Sequence, residues 1–341
     1  MSALFAITTR GLETIAAEEL GRLAPVGGLE IGYRRVAFTS DAALATWLGP
    51  RTVDDCFIHL ATWNDLSHRR EALEQCARLS TALDLGQAAR QIRALRPVEQ
   101  RPSFSLTVNF VGKRNYSGDE LKAALGKALA QRLSWTWQER DDDAQLNVRM
   151  FIEHQIAHLG MRIGLRPLHE RSYKLAHVPG SLRPPVAAAM LACAGALPGE
   201  RLLDPCCGAG TILVEAHSRG LHVLGGDCDQ VALDAAGANL ATAGHGGVRL
   251  QRWDLTALPL ADGSVERVVT NLPWDRQVAV GSELEGFHRR AMHEIARVLT
   301  PSGSATVLTT HPQLVAIPGR TRTSCVEISL HGQTPVIVTQ R

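Results

Sequence analysis

The chain has 341 residues, of which 45% are hydrophobic and 21% are charged, and its net charge at neutral pH is +2. This length is enough for two or three domains with their own cores, and the composition is that of an ordinary soluble protein. No apolar run approaches the ~20 residues that a membrane span requires, so we expect a cytoplasmic protein without a membrane partner.

The charge and the cysteines narrow the classes of function. Residues 1–174 carry a net charge of +3 and residues 175–341 one of −1, so a nucleic-acid site would have to be a local basic patch. Seven cysteines, an odd number, favour reduced thiols over a disulfide framework. None of them has zinc-ribbon spacing, and we expect no metal site. The sequence leaves the oligomeric state open.

Strand and helix patterns alternate through the first 97 residues. Apolar spacing predicts strands at 4–11, 30–39 and 53–62 and helices at 12–23, 41–48 and 67–95. This order predicts a small α+β unit that closes near Arg96 and Pro97.

A second pattern begins after a polar link at residues 98–102. Alternating apolar residues predict a strand at 104–110, and Ser117-Gly-Asp-Glu120 matches a helix capping box. Leucines at every fourth position continue that helix to Leu133. Alternation resumes at 146–152 and 156–163, which predicts a β-hairpin.

The second half of the chain alternates strands and helices more regularly. A helix can begin at the two prolines 184–185, because a proline needs no N–H partner there. Short strands are predicted near residue 202 and at 222–227, 248–254, 265–271 and 305–310. Such alternation predicts a mostly parallel sheet with helices on both faces, a Rossmann-like α/β domain. Residues 324–330 and 335–339 predict a terminal antiparallel hairpin.

The stretch Arg201 to Ala216, RLLDPCCGAGTILVEA, contains an apolar strand, a glycine turn and a helix start. Gly208 and Gly210 allow the backbone to approach a ligand closely, and the free N–H groups of the next helix favour electron-rich ligand atoms. The spacing Asp-x-x-x-Gly-x-Gly is neither the dinucleotide fingerprint nor a P-loop.

Polar residues follow three further predicted strands. Asp227 closes the second strand, Asp254 the third, and Asn271 the fourth, within Asn271-Leu-Pro-Trp274. Ligands of open α/β sheets bind beyond the carboxyl ends of the strands. Asp227 could accept hydrogen bonds from both hydroxyls of a ribose. An isolated aspartate more often caps a helix or loop, but recurrence at successive strand ends favours a ligand site.

The glycine turn and the Asn-Leu-Pro-Trp segment together resemble the S-adenosylmethionine-dependent amino-methyltransferases. The resemblance implies a catalytic turn formed by Asn271, Pro273 and Trp274. It also implies a binding site for S-adenosylmethionine that is formed by Ser181, Arg183, Asp204, Pro205, Gly208, Gly210, Thr211, Asp227, Asp254 and Asn271.

The catalytic turn suits a poorly nucleophilic exocyclic amino group. The side-chain oxygen of Asn271 and a backbone carbonyl would accept its two N–H bonds and direct its lone pair towards the methyl group. Trp274 would stack on an extruded base. Cys206 and Cys207 lie in the glycine turn rather than in the catalytic turn, so we interpret them as small packing residues.

The first half resembles a different kind of module. Its strand, basic loop, capped helix and hairpin, ending in Leu168-His-Glu-Arg-Ser-Tyr173, resemble the THUMP domain of RNA-modifying enzymes. The resemblance implies a ferredoxin-like segment at 1–97, a THUMP-like domain at 98–173 and a methyltransferase domain at 174–341. The loop departs from the Gly-x-His that is frequent in that family. Phosphate contacts are predicted for Lys113, Arg114 and Arg171.

The two resemblances together imply methylation of the 2-amino group of a flipped guanosine in tRNA. The same chemistry on ribosomal RNA or on adenine is an alternative, as is methylation of a protein glutamine, which would leave the THUMP-like segment unexplained. An RNA-binding protein with an inactive methyltransferase scaffold is a further alternative. Against an inactive scaffold stands the complete set of Asp204, Gly208, Gly210, Asp227 and Asn271.

Overall fold

A computed structural model of the chain describes residues 1–273 and 284–341. The chain forms two compact units, one made by Met1–Thr8 and Ala17–Leu168 and the other by Thr9–Ala16 and His169–Arg341. Within the described ranges, no helix has the length and apolar character that crossing a membrane requires.

The first unit contains a mixed eight-stranded sheet. Its strands are β1 (Ser2–Ile7), β2 (Gly27–Gly32), β3 (Arg35–Ser40), β4 (Asp55–Trp63), β5 (Ser103–Val111), β6 (Thr136–Gln138), β7 (Leu146–Glu153) and β8 (Ile156–Arg162). Their order is β2-β3-β1-β4-β8-β7-β5-β6, and β5 is parallel to both β6 and β7. Antiparallel pairing of β4 with β8 joins the strands before residue 97 and those after it in one sheet. The description of residues 1–97 and 98–173 as separate modules stays a prediction.

The helices in the first half of the chain are α1 (Glu13–Leu23), α2 (Glu71–Leu79), α3 (Leu85–Arg93) and α4 (Gly118–Leu133). The capping box that opens α4 is confirmed. The Ser117 hydroxyl accepts a hydrogen bond from the Glu120 N–H at 3.1 Å, and the Glu120 carboxylate accepts one from the Ser117 N–H at 2.8 Å. Each bond satisfies a donor that the helix itself leaves without a partner.

Three local predictions for this half are wrong. Residues 30–39 are not one strand but parts of the hairpin β2–β3, because Arg34 turns the chain with a left-handed φ of 54°. Residues 41–48 contain only a 3₁₀ turn at Leu44–Leu48. The helix predicted at 67–95 is interrupted, because Asp84 caps a new helix by accepting a hydrogen bond from the Gln87 N–H at 2.8 Å. The short strand β6 carries too little periodicity to be predicted.

The second unit is built on a seven-stranded sheet. Its strands are β9 (Arg201–Asp204), β10 (His222–Asp227), β11 (Arg249–Arg252), β12 (Val265–Asn271), β13 (Leu299–Thr309), β14 (Arg322–Glu327) and β15 (Val336–Gln340). Their order is β11-β10-β9-β12-β13-β15-β14. The first five are parallel, whereas β15 pairs antiparallel with β13 and β14. The predicted parallel sheet with a terminal antiparallel hairpin is confirmed.

Helices cover both faces of this sheet, as predicted. They are α5 (Pro184–Ala194), α6 (Thr211–His217), α7 (Gln230–Thr242) and α8 (Leu284–Val298). Leu202 packs in a cluster with α5, and its neighbour Leu203 packs in a cluster with α8 on the opposite face. Successive residues of a strand point to opposite faces, so continuous apolar runs are needed where both are covered. Each buried leucine contributes about 1.5–3 kcal/mol.

Candidate active site

The parallel strands of the second unit deliver polar residues to one edge of the sheet. β9 ends at Asp204, β10 at Asp227 and β12 at Asn271, while Asp254 follows shortly after β11. A cavity of about 420 Å³ lies at this edge. The predicted residues that line it are Ser181, Asp204, Pro205, Gly208, Thr211, Asp227, Asp254, Asn271 and Pro273.

The other residues predicted for this site are placed differently. Arg183 and Gly210 are not among the described residues that line the cavity. Arg183 directly precedes α5, and its Nη1 lies 3.5 Å from Thr9 Oγ1. Trp274 lies outside the described residues, so its role as a stacking partner stays a prediction.

The two glycines of the turn serve different purposes. Gly208 has a left-handed φ of +51° and lines the cavity, and a Cβ there would come no nearer than 3.8 Å to Val178 Cγ2. Gly210 has a φ of +74°, and a Cβ there would lie 3.0 Å from the Cβ of Ala236 in α7. Gly210 therefore allows close packing between the turn and α7, and Gly208 presents backbone to the cavity.

Asp227 holds the turn in place. Its Oδ2 accepts a hydrogen bond from the Gly208 N–H at 2.9 Å, and its Oδ1 accepts one from the Asp229 N–H at 3.1 Å. A carboxylate has about four lone-pair positions, so further acceptor capacity remains on the side that lines the cavity. Asp254 is arranged similarly, because its Oδ1 accepts from the N–H and the hydroxyl of Thr256, both at 2.8 Å.

Asp204 is a buried carboxyl group in the cavity wall. It is 1% exposed, and its Oδ1 lies 3.3 Å from the N–H of Cys206, which donates to it. Burial raises the pKa of Asp204 to about 7, and the nearby charge of Asp227 acts in the same direction. A cationic ligand group would stabilise the ionised form of Asp204, so this end of the cavity favours positive charge.

The two cysteines of the turn are not suited to nucleophilic chemistry. Loss of hydration, together with the charge of Asp204, raises the pKa of both Cys206 and Cys207 well above the usual range. Their thiols therefore stay uncharged at neutral pH, and the thiolate is the reactive species. This supports their interpretation as packing residues.

Trp253 forms a flat part of the wall that the sequence did not single out. Its Nε1 donates to the Pro205 carbonyl at 3.0 Å. A Cβ on Gly226 would lie 2.1 Å from Cε2 of this ring, so only glycine fits there. The lack of a side chain at Gly226 leaves room for the indole ring, and the bond to Pro205 holds the ring beside the glycine turn.

Asn271 lines the cavity, and its amide oxygen is an unusual feature of the site. Asn271 ends β12 opposite Leu308 of β13, and the next residue, Leu272, donates its N–H to the Leu308 carbonyl at 3.1 Å. The Asn271 Oδ1 is buried and accepts no hydrogen bond from any residue that the structure describes. Leaving a buried acceptor without a donor costs about 1–3 kcal/mol. A ligand N–H would satisfy this oxygen.

Residues 171–182, which we call the strap, supply another wall of the cavity. Arg171 Nε and Tyr173 Oη both donate to Oε1 of Glu215 in α6, at 3.1 and 2.9 Å, and the Glu215 side chain is fully buried. Lys174 Nζ donates to Thr211 Oγ1 at 2.9 Å and to the Leu182 carbonyl. Burial lowers the pKa of Lys174 to about 8. The strap is thereby attached to the helix that begins at the glycine turn.

Asn239 of α7 attaches the strap at a second point. Its Oδ1 accepts from the N–H groups of Leu175 and Ala176 at 3.0 and 2.9 Å. Its Nδ2 donates to the carbonyls of Ala176 at 2.9 Å and Ala209 at 2.8 Å. One buried side chain thus joins the strap to the glycine turn, and the end of the strap at 178–182 lines the cavity.

The three predicted phosphate contacts have different surroundings. Lys113 is exposed in the loop after β5. Arg114 instead donates to the carbonyls of Ser67 and His154 and to the Tyr116 hydroxyl. Arg171 is largely buried against Glu215. Lys113 keeps its predicted role, whereas the contacts of the two arginines support internal positioning.

Sequence reasoning missed the residues that α8 contributes. Phe287 and Arg290 line the cavity from the first two turns of this helix. They belong to no short motif, and helical periodicity alone does not reveal which face meets a ligand. The relevant signal is position, because the helix after a parallel strand begins at the carboxyl edge of the sheet.

The sheet order, the glycine turn and the polar strand ends define a Rossmann-like class I methyltransferase fold. Residues 171–329 match the family described as UPF0020, RMKL-like, methyltransferase domain. The second unit of the chain is therefore a methyltransferase domain.

Three of the matches extend over nearly the whole chain. A tRNA (guanine(6)-N2)-methyltransferase of Thermus thermophilus is 29% identical over 317 residues, which cover 92% of this chain and 90% of that protein. The crystal structure of TrmN from Thermus thermophilus has 26% identity and a TM-score of 0.80, and covers 100% of this chain and 99% of that one. The structure of SMU.472 complexed with SAH shares the fold, with 15% identity, a TM-score of 0.77 and coverage of 99% and 97%.

Proposed function

We propose that this chain transfers a methyl group from S-adenosylmethionine to the exocyclic 2-amino group of a guanosine in tRNA. The observation that carries the proposal is Asn271, which lines the same cavity as the glycine turn and whose buried Oδ1 has no donor among the described residues. The relatives support the substrate class, because a protein that matches 92% of the chain is a tRNA (guanine(6)-N2)-methyltransferase.

The residues present fit the cofactor. Bound S-adenosylmethionine supplies an electrophilic methyl group. Asp227 offers acceptor positions for the ribose hydroxyls, and the backbone of Gly208 allows close approach. The raised pKa of Asp204 suits a cationic amino group, which would hold this carboxyl ionised. Calorimetry on Asp227→Ala should show cofactor affinity weakened at least tenfold, because the loss of a single charged hydrogen bond is already enough for that effect.

Asn271 orients the nucleophile. Its Oδ1 accepts one N–H of the guanine amino group, and a backbone carbonyl of the turn accepts the other. These two bonds draw the amino lone pair out of conjugation and aim it along the line of transfer. Pro273 lines the cavity and restricts the backbone of the turn. The proton released on methylation leaves with solvent, because the methylated amino group is only weakly basic.

The finer features of the substrate follow from the relatives and from the first unit. We assign the modified nucleotide to guanosine 6, the position in the name of the relative that covers 92% of this chain. Lys113 is the exposed basic residue of the predicted RNA-contacting loop. A tRNA substrate supports the cytoplasmic location that the sequence predicts.

Mass spectrometry of the nucleosides tests this function. Purified protein, S-adenosylmethionine and unmodified tRNA transcript should yield N2-methylguanosine, mapped to nucleotide 6 by nuclease fragments. The matched control is a transcript with adenosine at position 6, which should accept no methyl group there. A product methylated on adenine, on a ring carbon or on a ribose oxygen would refute the proposal, as would activity on ribosomal RNA but not on tRNA.

A further inference from the structure

Helix α8 forms part of the wall of the cavity that Asn271 and Pro273 also line. It follows β12 in the chain, so its first turns lie at the carboxyl edge of the sheet, where Asn271 ends that strand. Phe287 and Arg290 are three residues apart, share one face of the helix and both line the cavity. Ala291 and Met292 are buried in the core beneath the sheet. One face of α8 is thus packed in the core, and the adjacent face lines the cavity.

The charges around the cavity are distributed unevenly. The carboxylates Asp204, Asp227 and Asp254 follow three adjacent strands at the β11 side of the sheet, and β12 lies beyond them. Arg290 is the lining residue of opposite charge among those that the structure describes. The acidic side suits a cationic cofactor, so the basic side is available for an anionic part of the other substrate.

The Arg290 guanidinium is exposed, and within residues 1–273 and 284–341 it has no hydrogen bond or ion pair. Its side chain runs back along the helix over Gly286, where a Cβ would lie 3.5 Å from Nη1. The guanidinium therefore lies near the start of α8, towards the edge of the sheet that carries Asn271. By contrast, the cavity residues Asp227, Asp254 and Thr211 are hydrogen-bonded to their neighbours.

We propose that Arg290 binds a phosphate of the target nucleotide and so holds the flipped guanosine against Asn271. The inference rests on the proposed function, because it assumes a nucleotide substrate. A guanidinium donates two parallel hydrogen bonds to a phosphate, and the bonds are strengthened by charge. The base occupies the buried end of the cavity at Asn271 Oδ1, so its backbone lies at the exposed end, where Arg290 is placed.

The helix itself offers a matched control. Arg289 is the adjacent residue, is equally exposed and carries the same charge, but it does not line the cavity. Arg290→Ala and Arg289→Ala therefore change the net charge identically on one helix. Arg290→Lys keeps the charge but loses the planar fork, and a phosphate accepts either group whereas a guanine edge prefers the fork.

The experiment measures single-turnover methyl transfer to tRNA as a function of enzyme concentration, for wild type and the three variants. Arg290→Ala should raise the half-saturating concentration about tenfold or more, and Arg289→Ala should stay within about twofold of wild type. Arg290→Lys keeps the charge but not the fork, so it should recover part of the loss. The salt dependence of tRNA binding should fall by about one phosphate contact in Arg290→Ala and be unchanged in Arg289→Ala. Cofactor affinity by calorimetry should be equal in all four proteins.

Equal effects of Arg289→Ala and Arg290→Ala would overturn the proposal, because they would indicate general charge attraction. Weakened cofactor binding in Arg290→Ala would overturn it by assigning the residue to S-adenosylmethionine. A lysine variant as weak as the alanine variant would overturn the phosphate contact in favour of the base edge. These outcomes are separate from failure of the proposed function, which is read from the product nucleoside of the wild-type protein in the same assay.

Discussion

Among single residues of the cavity, some polar side chains are hydrogen-bonded within the wall, whereas Asn271 has an acceptor oxygen without a partner among the described residues. Asp227 is bound to two backbone N–H groups, and Asp254 to Thr256. Asn271 Oδ1 is buried without a donor among the described residues. A wall group with partners keeps its geometry when the ligand leaves, whereas an unsatisfied acceptor adds affinity for the ligand that satisfies it.

The raised pKa of Asp204 predicts a specific dependence of stability on pH. Between about pH 4 and pH 7 the folded chain holds a proton on Asp204 that the unfolded chain has released. The contribution of this residue to the free energy of unfolding therefore falls as pH rises through this window and is constant above it. Asp204→Asn removes the effect, so its melting temperature relative to wild type should increase from pH 5 to pH 7 and then level off.

The control for that experiment is Asp234→Asn on α7, where the carboxylate is exposed. Its difference from wild type should not change over the same pH range. A constant difference for Asp204→Asn as well would show that the Asp204 carboxyl is not destabilised by burial. Measurements use the ligand-free protein, because a bound cation would keep Asp204 ionised.

Sequence reasoning identified the strand-end residues because each follows a local apolar run. Asp204, Asp227, Asp254 and Asn271 could be placed from the order of strands alone. The contacts of Arg114 and Arg171 could not, because they depend on partners such as His154 and Glu215 that are distant in sequence. Nor does a sequence show whether an arginine is exposed or held by an internal carboxylate.

At the scale of elements, the strap depends on α6 and α7 for its position. It has no helix or strand of its own between Arg171 and Leu182, so side chains must satisfy its backbone groups. Asn239 satisfies three of them, in Leu175 and Ala176, and one in Ala209. Tyr173, which also belongs to the strap, donates a hydrogen bond to the buried carboxylate of Glu215 in α6.

We expect Asn239→Ala to weaken cofactor binding although Asn239 does not line the cavity. Loss of its hydrogen bonds leaves backbone groups of Leu175, Ala176 and Ala209 without these partners, at about 1–3 kcal/mol for each group that water cannot reach. The strap then loses its fixed position, and Val178 and Ser181 no longer form a defined wall. Calorimetry below the melting temperature should show weaker binding of S-adenosylmethionine.

Thr242→Ala on the same helix is the matched control. The Thr242 hydroxyl is exposed and donates within α7 to the Ala238 carbonyl at 2.9 Å. Its removal should leave cofactor affinity unchanged. If Asn239→Ala lowers the melting temperature but binds the cofactor as wild type does, the strap does not depend on Asn239 for its alignment.

The elements themselves were largely predictable where periodicity is local. The parallel sheet, the capped helix α4 and the final hairpin are as predicted. The errors at residues 30–39 and 67–95 arise at Arg34 and Asp84, where one residue turns or restarts the chain inside a continuous apolar pattern. Pairing of β4 with β8 joins segments about a hundred residues apart, and no local pattern specifies it.

At the scale of the whole molecule, the two units interleave in sequence. Residues Thr9–Ala16 belong to the second unit, and Leu12 is fully buried in its core. A protein that begins near residue 175 would lose Leu12 as well as Arg171 and Tyr173, so it would not report on RNA binding alone. The contribution of the first unit has to be measured in the full chain.

The substitution Lys113→Ala in the full chain measures how much the first unit contributes to tRNA binding. If Lys113 contacts a phosphate, its removal should weaken tRNA binding and lower the slope of log affinity against log salt by about one contact. Lys127→Ala, an exposed lysine on α4, is the control and should leave the slope unchanged. Equal slopes for Lys113→Ala and wild type would remove Lys113 from the RNA interface.

In the proposed reaction Asn271 activates an amino group, and single-turnover transfer of labelled methyl to tRNA by Asn271→Ala measures that role. Cofactor and tRNA binding should remain close to wild type, while the rate at saturation should fall about 100- to 1000-fold, the usual effect of removing one positioned hydrogen-bonding group in a buried site. Asn271→Asp keeps an acceptor oxygen and should retain more activity than the alanine variant. A wild-type rate of N2-methylguanosine formation by Asn271→Ala would show that Asn271 does not activate the amino group.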